Sequence, residues 1–471
     1  MAVDAATSTR MRDDALRLFR EPDARPVHFV GIAGAGMSAL AELFARRGIT
    51  VTGSDMSATG NADLESLGIT VHRGHDSAFV TGARAVIASS AIAPDHVEVA
   101  AASQLGIPVI RRAEALGAAV DGMQIVGIAG THGKTTTTVM TTEALVGTAA
   151  APTGIVGGRV QQWGGNLRWG GGNIVVVEAD EYDRSFLALH PTIAVVTNVE
   201  ADHLDIYTDL ADITATFEQY LSTAKGIVLC ADDLGASELK LPDGADVIRY
   251  GLDHTDARLV GIRQGAAMHV IFDAAPLGTL TLRVPGDHNK RNALAALAVG
   301  LLLGYPFEEL KPGLETFGGV ERRFELKGEV NGVLVVDDYA HHPTEVRATL
   351  EAARAAYPDR RIVALFQPHL YSRTRDFAGE FGVALAAGAD RFALTDIYKA
   401  REQPIAGVTS QLIADAAARA GRAPDWFGLR ADATAGLRGL VLPGDLVLTM
   451  GAGDVTQVGP ELLAALSSEA Q

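Results

Sequence analysis

Gln124-Ile125-Val126-Gly127-Ile128-Ala129-Gly130-Thr131-His132-Gly133-Lys134-Thr135-Thr136-Thr137 is an apolar run that breaks into glycines, then a lysine and a row of threonines. The apolar part reads as a strand and the threonine row as the start of a helix, the context a phosphate-binding loop requires. Its glycines let the backbone approach a polyphosphate, and the helix start offers N–H donors and positive dipole. Lys134 would reach the β- and γ-phosphates, and the Thr135 hydroxyl would sit on Mg²⁺. The spacing departs from the strict Gly-x4-Gly-Lys form, because Ile128 stands where the first glycine belongs. A glycine-rich turn with a solvated lysine is the bland alternative. Strand, Gly-Lys-Thr and threonine run together count against it.

Outward from this loop, Val175-Val176-Val177-Glu178-Ala179-Asp180-Glu181 delivers acids at the carboxyl end of an apolar strand. Carboxylates there stand beside a phosphate loop, and Glu178 is a candidate Mg²⁺ ligand, since hard oxygens suit that ion. The next strand runs into Thr197-Asn198-Val199-Glu200-Ala201-Asp202-His203-Leu204-Asp205. His203 is either a metal ligand through its imidazole or a polar loop residue. Nearer the N-terminus, Gly31-Ile32-Ala33-Gly34-Ala35-Gly36-Met37-Ser38-Ala39 also follows a strand and opens a helix. Gly34-x-Gly36-x-x-Ala39 fits the dinucleotide fingerprint, and Asp55 stands about 20 residues on, where an acid meets a ribose hydroxyl. Alone this suggests NAD, yet any nucleoside diphosphate offers the same pyrophosphate and ribose.

Further along, Asn289 and Asn292 share a helical face in Pro285-Gly286-Asp287-His288-Asn289-Lys290-Arg291-Asn292. Paired carboxamides suit an adenine edge; helix capping by Asp287 or Asn289 is the plainer reading, and both can hold. In the last third, Asp337-Asp338-Tyr339-Ala340-His341-His342-Pro343-Thr344-Glu345 and Gln367-Pro368-His369-Leu370-Tyr371-Ser372-Arg373-Thr374-Arg375 each follow a strand. Such ends are the usual binding edge of an open α/β sheet, and His, Tyr, Arg and Asp there suit a small zwitterion or carboxylate. Arg323 sits at a segment boundary, where it could reach phosphate.

Composition bounds these readings. A chain of 471 residues with 48% hydrophobic content is expected to fold into two or three domains. The formal net charge of −17 argues against general binding to nucleic acid or an anionic membrane. A local anion site remains compatible with it. Cys230 is the lone cysteine. It sits in an apolar run, reads as a small core residue, and fits a reducing cytosol. Met1 to Arg25 lacks the apolar stretch of a secretory signal. Ala293–Leu303, the longest apolar run, is too short to span a bilayer and is expected as a buried helix.

Strands and helices alternate in three segments, which predicts doubly wound parallel sheets. The expected divisions are 1–122, 123–320 and 321–471, with Gly318-Gly319-Val320 as a hinge. Residues 255–284 alternate as antiparallel strands would, suggesting a small side sheet. Trp163–Gly172 reads as a loop.

Taken together, GIAGAGMSALAE, GTHGKTTTT, EADEYDRSF, NVEADHLD, PGDHNKRNALAA, DDYAHHPTE and FQPHLYSRTRDF closely resemble the Mur ligase family over Val30 to Asp454. DDYAHHPTE and FQPH point to its alanine-adding branch. The resemblance implies an N-terminal Rossmann-like UDP-binding domain, a central phosphate-loop ATPase domain and a C-terminal Rossmann-like domain. It implies a cytoplasmic enzyme of peptidoglycan precursor synthesis, acting as a monomer or weak dimer. Its substrates would be UDP-N-acetylmuramate, L-alanine and ATP, with two Mg²⁺ sites. ATP would phosphorylate the muramoyl carboxylate, and the alanine amine would attack the acyl phosphate. Under this resemblance Lys134 binds phosphate, Thr135 and Glu178 hold one Mg²⁺, and His203 holds the second. Gly130, Thr131, His132, Gly133, Thr136, Asn289, Asn292, Arg323 and Asp338 hold the nucleotide. Gly34, Gly36, Ser38, Asp55, Ser89 and Ser90 face UDP. His341, His369, Tyr371 and Arg373 belong to the amino-acid and acyl-phosphate end. Lys134, His203, Arg323 and Arg373 are the expected catalytic set.

The pattern has departures. Leu370 stands where many relatives carry Arg, leaving one cation fewer at that end, and Ala340 where many read Gly. The helix Ile213 to Leu221 contains no lysine, so no carbamylated lysine is expected. The nearest rival is a ligase that attaches an intact tripeptide to the same UDP-muramate. An NAD-dependent oxidoreductase would leave Lys134, Glu178 and His203 without work, and a nucleotide switch with slow turnover is a third class.

Overall fold

The computed structural model describes residues 5–57, 61–204, 206–254 and 256–468. Asp205 and the first residues of the N-terminal stretch, Met1 to Asp4, lie outside them. The chain forms two compact units, residues 1–281 with 291–317, and residues 282–290 with 318–471.

The first unit holds two sheets. One contains β1 (Val27–Val30), β2 (Val51–Asp55), β3 (Thr70–Arg73), β4 (Ala85–Ala88) and β5 (Val109–Arg111), in the order β3-β2-β1-β4-β5. All its pairings are parallel. The chain goes one way from β1 to β2 and β3, then returns to the other side for β4. That reversal opens a crevice at the carboxyl ends of β1 and β4, where ligands settle in such sheets. The GIAGAGMSA loop and Ser89-Ser90 both end there.

The second sheet has ten strands. They are β6 (Gln124–Ala129), β7 (Thr153–Val160), β8 (Gly165–Arg168), β9 (Ile174–Glu178), β10 (Ile193–Val196), β11 (Gly226–Cys230), β12 (Asp246–Gly251), β13 (Leu259–Gln264), β14 (Ala267–Phe272) and β15 (Ala275–Thr281). The order is β15-β14-β13-β12-β11-β10-β6-β9-β7-β8, so β6 lies between β9 and β10. Three loops, after β6, β9 and β10, therefore leave adjacent parallel strands at one edge. The antiparallel strands expected near residues 255–284 are β13 to β15; β13 pairs parallel with β12, so they extend the main sheet.

The second unit's sheet runs β16 (Glu325–Val330), β17 (Val333–Asp338), β18 (Ile362–Phe366), β19 (Arg391–Thr395), β20 (Trp426–Gly428) and β21 (Leu446–Met450). Its order is β16-β17-β21-β18-β19-β20, parallel except for β16.

Burial explains an odd sequence choice. The helix Lys134–Val146 is threonine-rich, a poor helix composition. It is buried on every side over Thr135–Thr142. Thr138, Thr141 and Thr142 each turn the hydroxyl back to the carbonyl four residues earlier, at 2.7–2.8 Å. These three buried hydroxyls are thus satisfied inside the helix. Ala293 to Val299 are fully buried within the helix Asp287–Leu302, as expected for that apolar run. No helix of the described residues is long and apolar enough to cross a membrane. Cys230 is buried at the end of β11.

Several elements escaped the sequence reading, among them a helix and a strand. The helix Ala5–Arg20 packs Ala15 and Leu18 into the core. Trp163–Gly172, expected as a loop, contains β8, paired antiparallel with β7.

Candidate active site

The loop after β6 has a backbone only glycine tolerates. Gly130 has φ 133° and Gly133 φ 81°. A Cβ at Gly130 would collide with the Thr197 hydroxyl, and one at Gly133 would lie 2.8 Å from Asn292 Oδ1. The loop is held from β10: Thr197 Oγ1 donates to the His132 carbonyl at 2.6 Å, and Asn198 Oδ1 accepts the His132 N–H at 2.7 Å. Thr131 Oγ1 accepts the Glu200 N–H at 2.9 Å. Thr136, on the first helical turn, is buried.

Lys134 opens the helix and folds its ammonium back over the loop. It donates to the carbonyls of Gly130 (2.7 Å) and Thr131 (3.1 Å) and pairs with both oxygens of Glu181 at 2.8–2.9 Å. Thr135 Oγ1 donates to Glu178 Oε1 at 2.9 Å, and the Gly157 N–H donates to Glu178 Oε2 at 2.6 Å. His203, at φ 54°, turns Nε2 to within 3.6 Å of Glu181 Oε1, and its ring meets the edge of Tyr182 at 5.2 Å.

Burial is the largest single influence on each group here, yet only at Glu178 does it decide the direction. It raises the Glu178 carboxyl above the ordinary range, although the Gly157 N–H and Lys134 pull the other way. Burial would lower Lys134, but Glu181, Asp180 and Glu178 hold its ammonium above the usual value. Burial likewise opposes ionisation of Glu181, which Lys134 and His203 nevertheless keep below its ordinary value. His203 is raised by Glu181 and Asp202 against burial. The cluster is thus a cradle of opposite charges that a magnesium polyphosphate would reapportion.

The residues fit that ligand. Gly130 and Gly133 let the loop pack closely against Thr197 and Asn292, which holds it in the tight curl such a ligand needs. Thr135 and Glu178 bring hard oxygens together, as Mg²⁺ prefers.

In the first sheet, Gly31 has φ 74° and Gly34 caps the helix Ala35–Arg46. A Cβ at Gly36 would lie 3.0 Å from Arg112 Nη1, so a guanidinium stands over this helix start. Asp55, expected on a ribose, spends its carboxylate on backbone: Oδ2 accepts from the Ala33 N–H at 3.0 Å and Oδ1 from the Ser57 N–H at 2.8 Å. It ties the two loops together. Ser38 Oγ donates to the Ala35 carbonyl. Ser89 is half-buried and Ser90 exposed. Beneath, the buried Glu98 accepts from Ser54 Oγ at 2.7 Å and lies near His28 and His75.

On the helix Asp287–Leu302, Asn289 donates back to the Pro285 carbonyl at 2.7 Å, while Asn292 faces Gly133. In the second unit, Asp338 accepts from the N–H groups of Phe324 and Ala340, each at 2.8 Å. Burial pushes its carboxyl up to about 6, against the pull of Arg323. Arg323 lies over the Tyr339 ring at 5.1 Å and 3.5 Å from Glu345. His341 Nδ1 donates toward the Tyr339 carbonyl at 2.9 Å and lies 3.1 Å from Glu345 Oε2, and its ring meets His369 at 5.9 Å. Tyr371 and Arg373 lie on the first turn of the helix Tyr371–Gly388, with Arg373 buried. Leu370 is buried too, so its side chain adds nothing exposed at this edge.

Each unit therefore gathers its own set. The first brings together Gly130 to Thr136, Glu178, His203 and Asn292, and separately the UDP-loop residues. The second brings together Arg323, Asp338, His341 and His369. Sequence reading missed Glu181, Thr197, Asn198 and Arg112. The first three stand inside motifs already singled out, where their side chains were given no role.

A phosphate loop with its lysine, acids on the next strand, and a second glycine loop in a Rossmann-ordered sheet define a nucleotide-using α/β enzyme. Family models place that class more closely: the Mur ligase family catalytic domain matches residues 26–123, the Mur ligase middle domain 128–300, and the Mur ligase glutamate ligase domain 322–453. The chain belongs to the Mur ligase family. It is 46% identical over 455 residues to a UDP-N-acetylmuramate–L-alanine ligase of Salinibacter ruber, covering 94% of this chain and 96% of that one. It is 46% identical to the enzyme of the same name from Streptomyces avermitilis, over 94% and 97% of the two chains. Among solved structures, a UDP-N-acetylmuramate-alanine ligase from Thermotoga maritima superposes with TM-score 0.80 at 29% identity, over 94% of this chain and all (100%) of that one. A murein peptide ligase from Psychrobacter arcticus gives TM-score 0.69 at 25% identity, over 94% and 98%.

Proposed function

We propose that this protein is an ATP-dependent ligase that joins L-alanine to the carboxylate of UDP-N-acetylmuramate, in the synthesis of peptidoglycan precursors. The observation that carries the reading is the cluster of Lys134, Thr135, Glu178 and Glu181 at one end of β6 and β9, in a chain 46% identical to alanine-adding ligases. The muramoyl carboxylate oxygen attacks the γ-phosphorus, and ADP leaves. The alanine amine then attacks the acyl carbon, loses a proton, and phosphate departs from the tetrahedral centre. Lys134 moves from Glu181 to the transferred phosphoryl group and neutralises it. Positioning supplies much of the remaining rate.

Thr135 and Glu178 would hold Mg²⁺, which would supply charge neutralisation to the phosphates. A second ion beside His203 would draw an oxygen ligand from Glu181. Asn289, Asn292, Arg323 and Asp338 hold the nucleotide. Gly34, Gly36, Ser38, Asp55, Ser89 and Ser90 take the UDP group, with Asp55 also fixing their loop and Arg112 as an added cation. His341, His369, Tyr371 and Arg373 serve the amino-acid end. We assign 1–122, 123–320 and 321–471 to the UDP-sugar, ATP and amino-acid functions, and place a monomer or weak dimer in the cytoplasm. The alanine reading is preferred over the tripeptide ligase on the 46% identity to a curated alanine ligase and, among solved structures, on TM-scores of 0.80 against 0.69.

Phosphate release tests it. ATP hydrolysis should require both UDP-N-acetylmuramate and an amino acid, with L-alanine preferred over glycine, serine and a tripeptide. Release with the tripeptide alone would transfer the protein to the recycling reaction, and release independent of the sugar would end the ligase reading.

A further inference from the structure

After β19 the chain runs Asp396-Ile397-Tyr398-Lys399-Ala400-Arg401-Glu402 before turning away. This segment lies along Pro368 to Ser372, the run that leaves β18. The Tyr398 N–H donates to the Pro368 carbonyl at 2.8 Å, and the Leu370 N–H donates to the Tyr398 carbonyl at 3.0 Å. Together they make a short parallel bridge between His369 and Tyr398. Four residues on, Glu402 accepts from the Ser372 N–H at 3.0 Å and from the Ser372 hydroxyl. A carboxylate at the first turn of an 18-residue helix is favourable for both its free N–H groups and its dipole.

What the segment holds is strained. Leu370 has φ 70° and ψ 139°, a backbone that residues with a Cβ avoid. Such a conformation persists only where surrounding contacts over-determine it; here Tyr398 accepts the Leu370 N–H, and Glu402 holds Ser372 two residues on. Leu370 joins His369 to the helix that carries Tyr371 and Arg373. Fixing it fixes the directions of all three.

The Tyr398 ring completes the arrangement. It stacks on the His369 imidazole at 5.8 Å with planes 14° apart. His369 meets His341 at 5.9 Å, and His341 meets Tyr339 at 5.1 Å. A row of rings thus crosses the carboxyl ends of β17, β18 and β19. Its floor is Gly453, where a Cβ would lie 2.5 Å from Tyr398 Cγ.

We propose that residues 396–402 form a strap that sets the amino-acid end, with Tyr398 and Glu402 as positioning residues for His369 and Arg373. The proposal rests on the assignment of those two residues to the amino-acid end. Steady-state kinetics with varied alanine, ATP and UDP-N-acetylmuramate test it, alongside melting curves. Tyr398→Ala should raise the alanine KM roughly 10-fold while the other two KM values stay within about 2-fold, and Tyr398→Phe, which keeps the ring, should restore it. His369→Ala combined with Tyr398→Ala should be no worse than His369→Ala alone, because the ring acts through the imidazole. A lowered melting temperature with an unchanged alanine KM, or an equal rise in all three KM values, overturns the strap. If Tyr398→Ala does not fold, Gly453→Ala displaces the ring instead; an unchanged alanine KM there overturns it equally. A His369→Ala enzyme with a normal alanine KM overturns the amino-acid assignment itself. A strong His369→Ala effect beside a silent Tyr398→Ala overturns the strap alone.

Discussion

Two loops of one design sit in the first unit, and they solve the problem of binding phosphate differently. Both follow a parallel strand, contain glycines with positive φ, and open a helix. Around Gly130–Lys134 the charges are inside the loop: Lys134 lies on its own carbonyls, and Glu178 and Glu181 answer it and Thr135. Around Gly31–Ser38 a nearby cation, Arg112, comes from beyond a later strand end, and the acid Asp55 holds backbone rather than charge. On the proposed function, the first loop changes the charge it binds and the second keeps a diphosphate in place. A reaction needs the former and recognition needs only the latter.

Removing the charge at the reactive loop should have the largest effect. Lys134→Ala should cut turnover by about 10³-fold or more, while UDP-sugar affinity by calorimetry stays within roughly 2-fold. Comparable losses in both would erase the contrast between the loops. Next, Gly133→Ala puts a Cβ at φ 81° and against Asn292, and should weaken ADP binding by about 100-fold. Gly34→Ala sits at φ −61° and ψ 138°, open to any residue, and should cost UDP-sugar affinity only about 3-fold. Equal penalties would mean that backbone conformation does not separate the sites. Asp55→Ala frees two N–H groups and should weaken UDP-sugar binding about 10-fold with ATP KM unchanged; an ATP effect instead would relocate its role.

The smallest effect is a pH dependence that only the reactive loop should have. Glu178 is raised by burial, so its empty carboxyl takes a proton above the usual glutamate range. Protonation relieves a buried charge, so this group favours the ligand-free fold at low pH, a contribution lost as pH rises through the raised value. Mg²⁺ needs the carboxylate and must expel the proton. Affinity for magnesium ADP should therefore rise with pH across that window and then level. Glu178→Gln should bind weakly and flatly; a wild-type affinity that improves on acidification would contradict this.

Much of this was readable in the sequence because it is local. Gly130, Lys134 and Thr135 are neighbours in the chain, and alternation of strands and helices follows from side-chain period. Glu181 was visible as one more acid in EADE; its pairing with Lys134 depends on β9 lying beside β6, a fact of sheet order. Asp55 was found from its spacing, but its bonds to the Ala33 and Ser57 N–H groups were not, since a carboxylate near a ribose site and one stitching two loops have the same spacing. Tyr398 and Leu370 were hidden for another reason. Leu370 reads as an ordinary apolar residue, and neither its backbone angle nor the ring beside His369 leaves a pattern in the chain. β8 was lost among the glycines of Trp163–Gly172, where composition outweighed pairing.

The lone thiol has a practical consequence. Cys230 ends β11 fully enclosed, and burial with Asp232 nearby pushes its thiol up to about 11. Alkylating reagents attack the thiolate, so the native chain should be silent to them. Any cysteine placed on the surface then reports alone, for fluorescent labelling or distance measurement, with no background to remove. In the unaltered protein, the rate at which the thiol becomes modified serves as a clock for opening of the ten-stranded sheet.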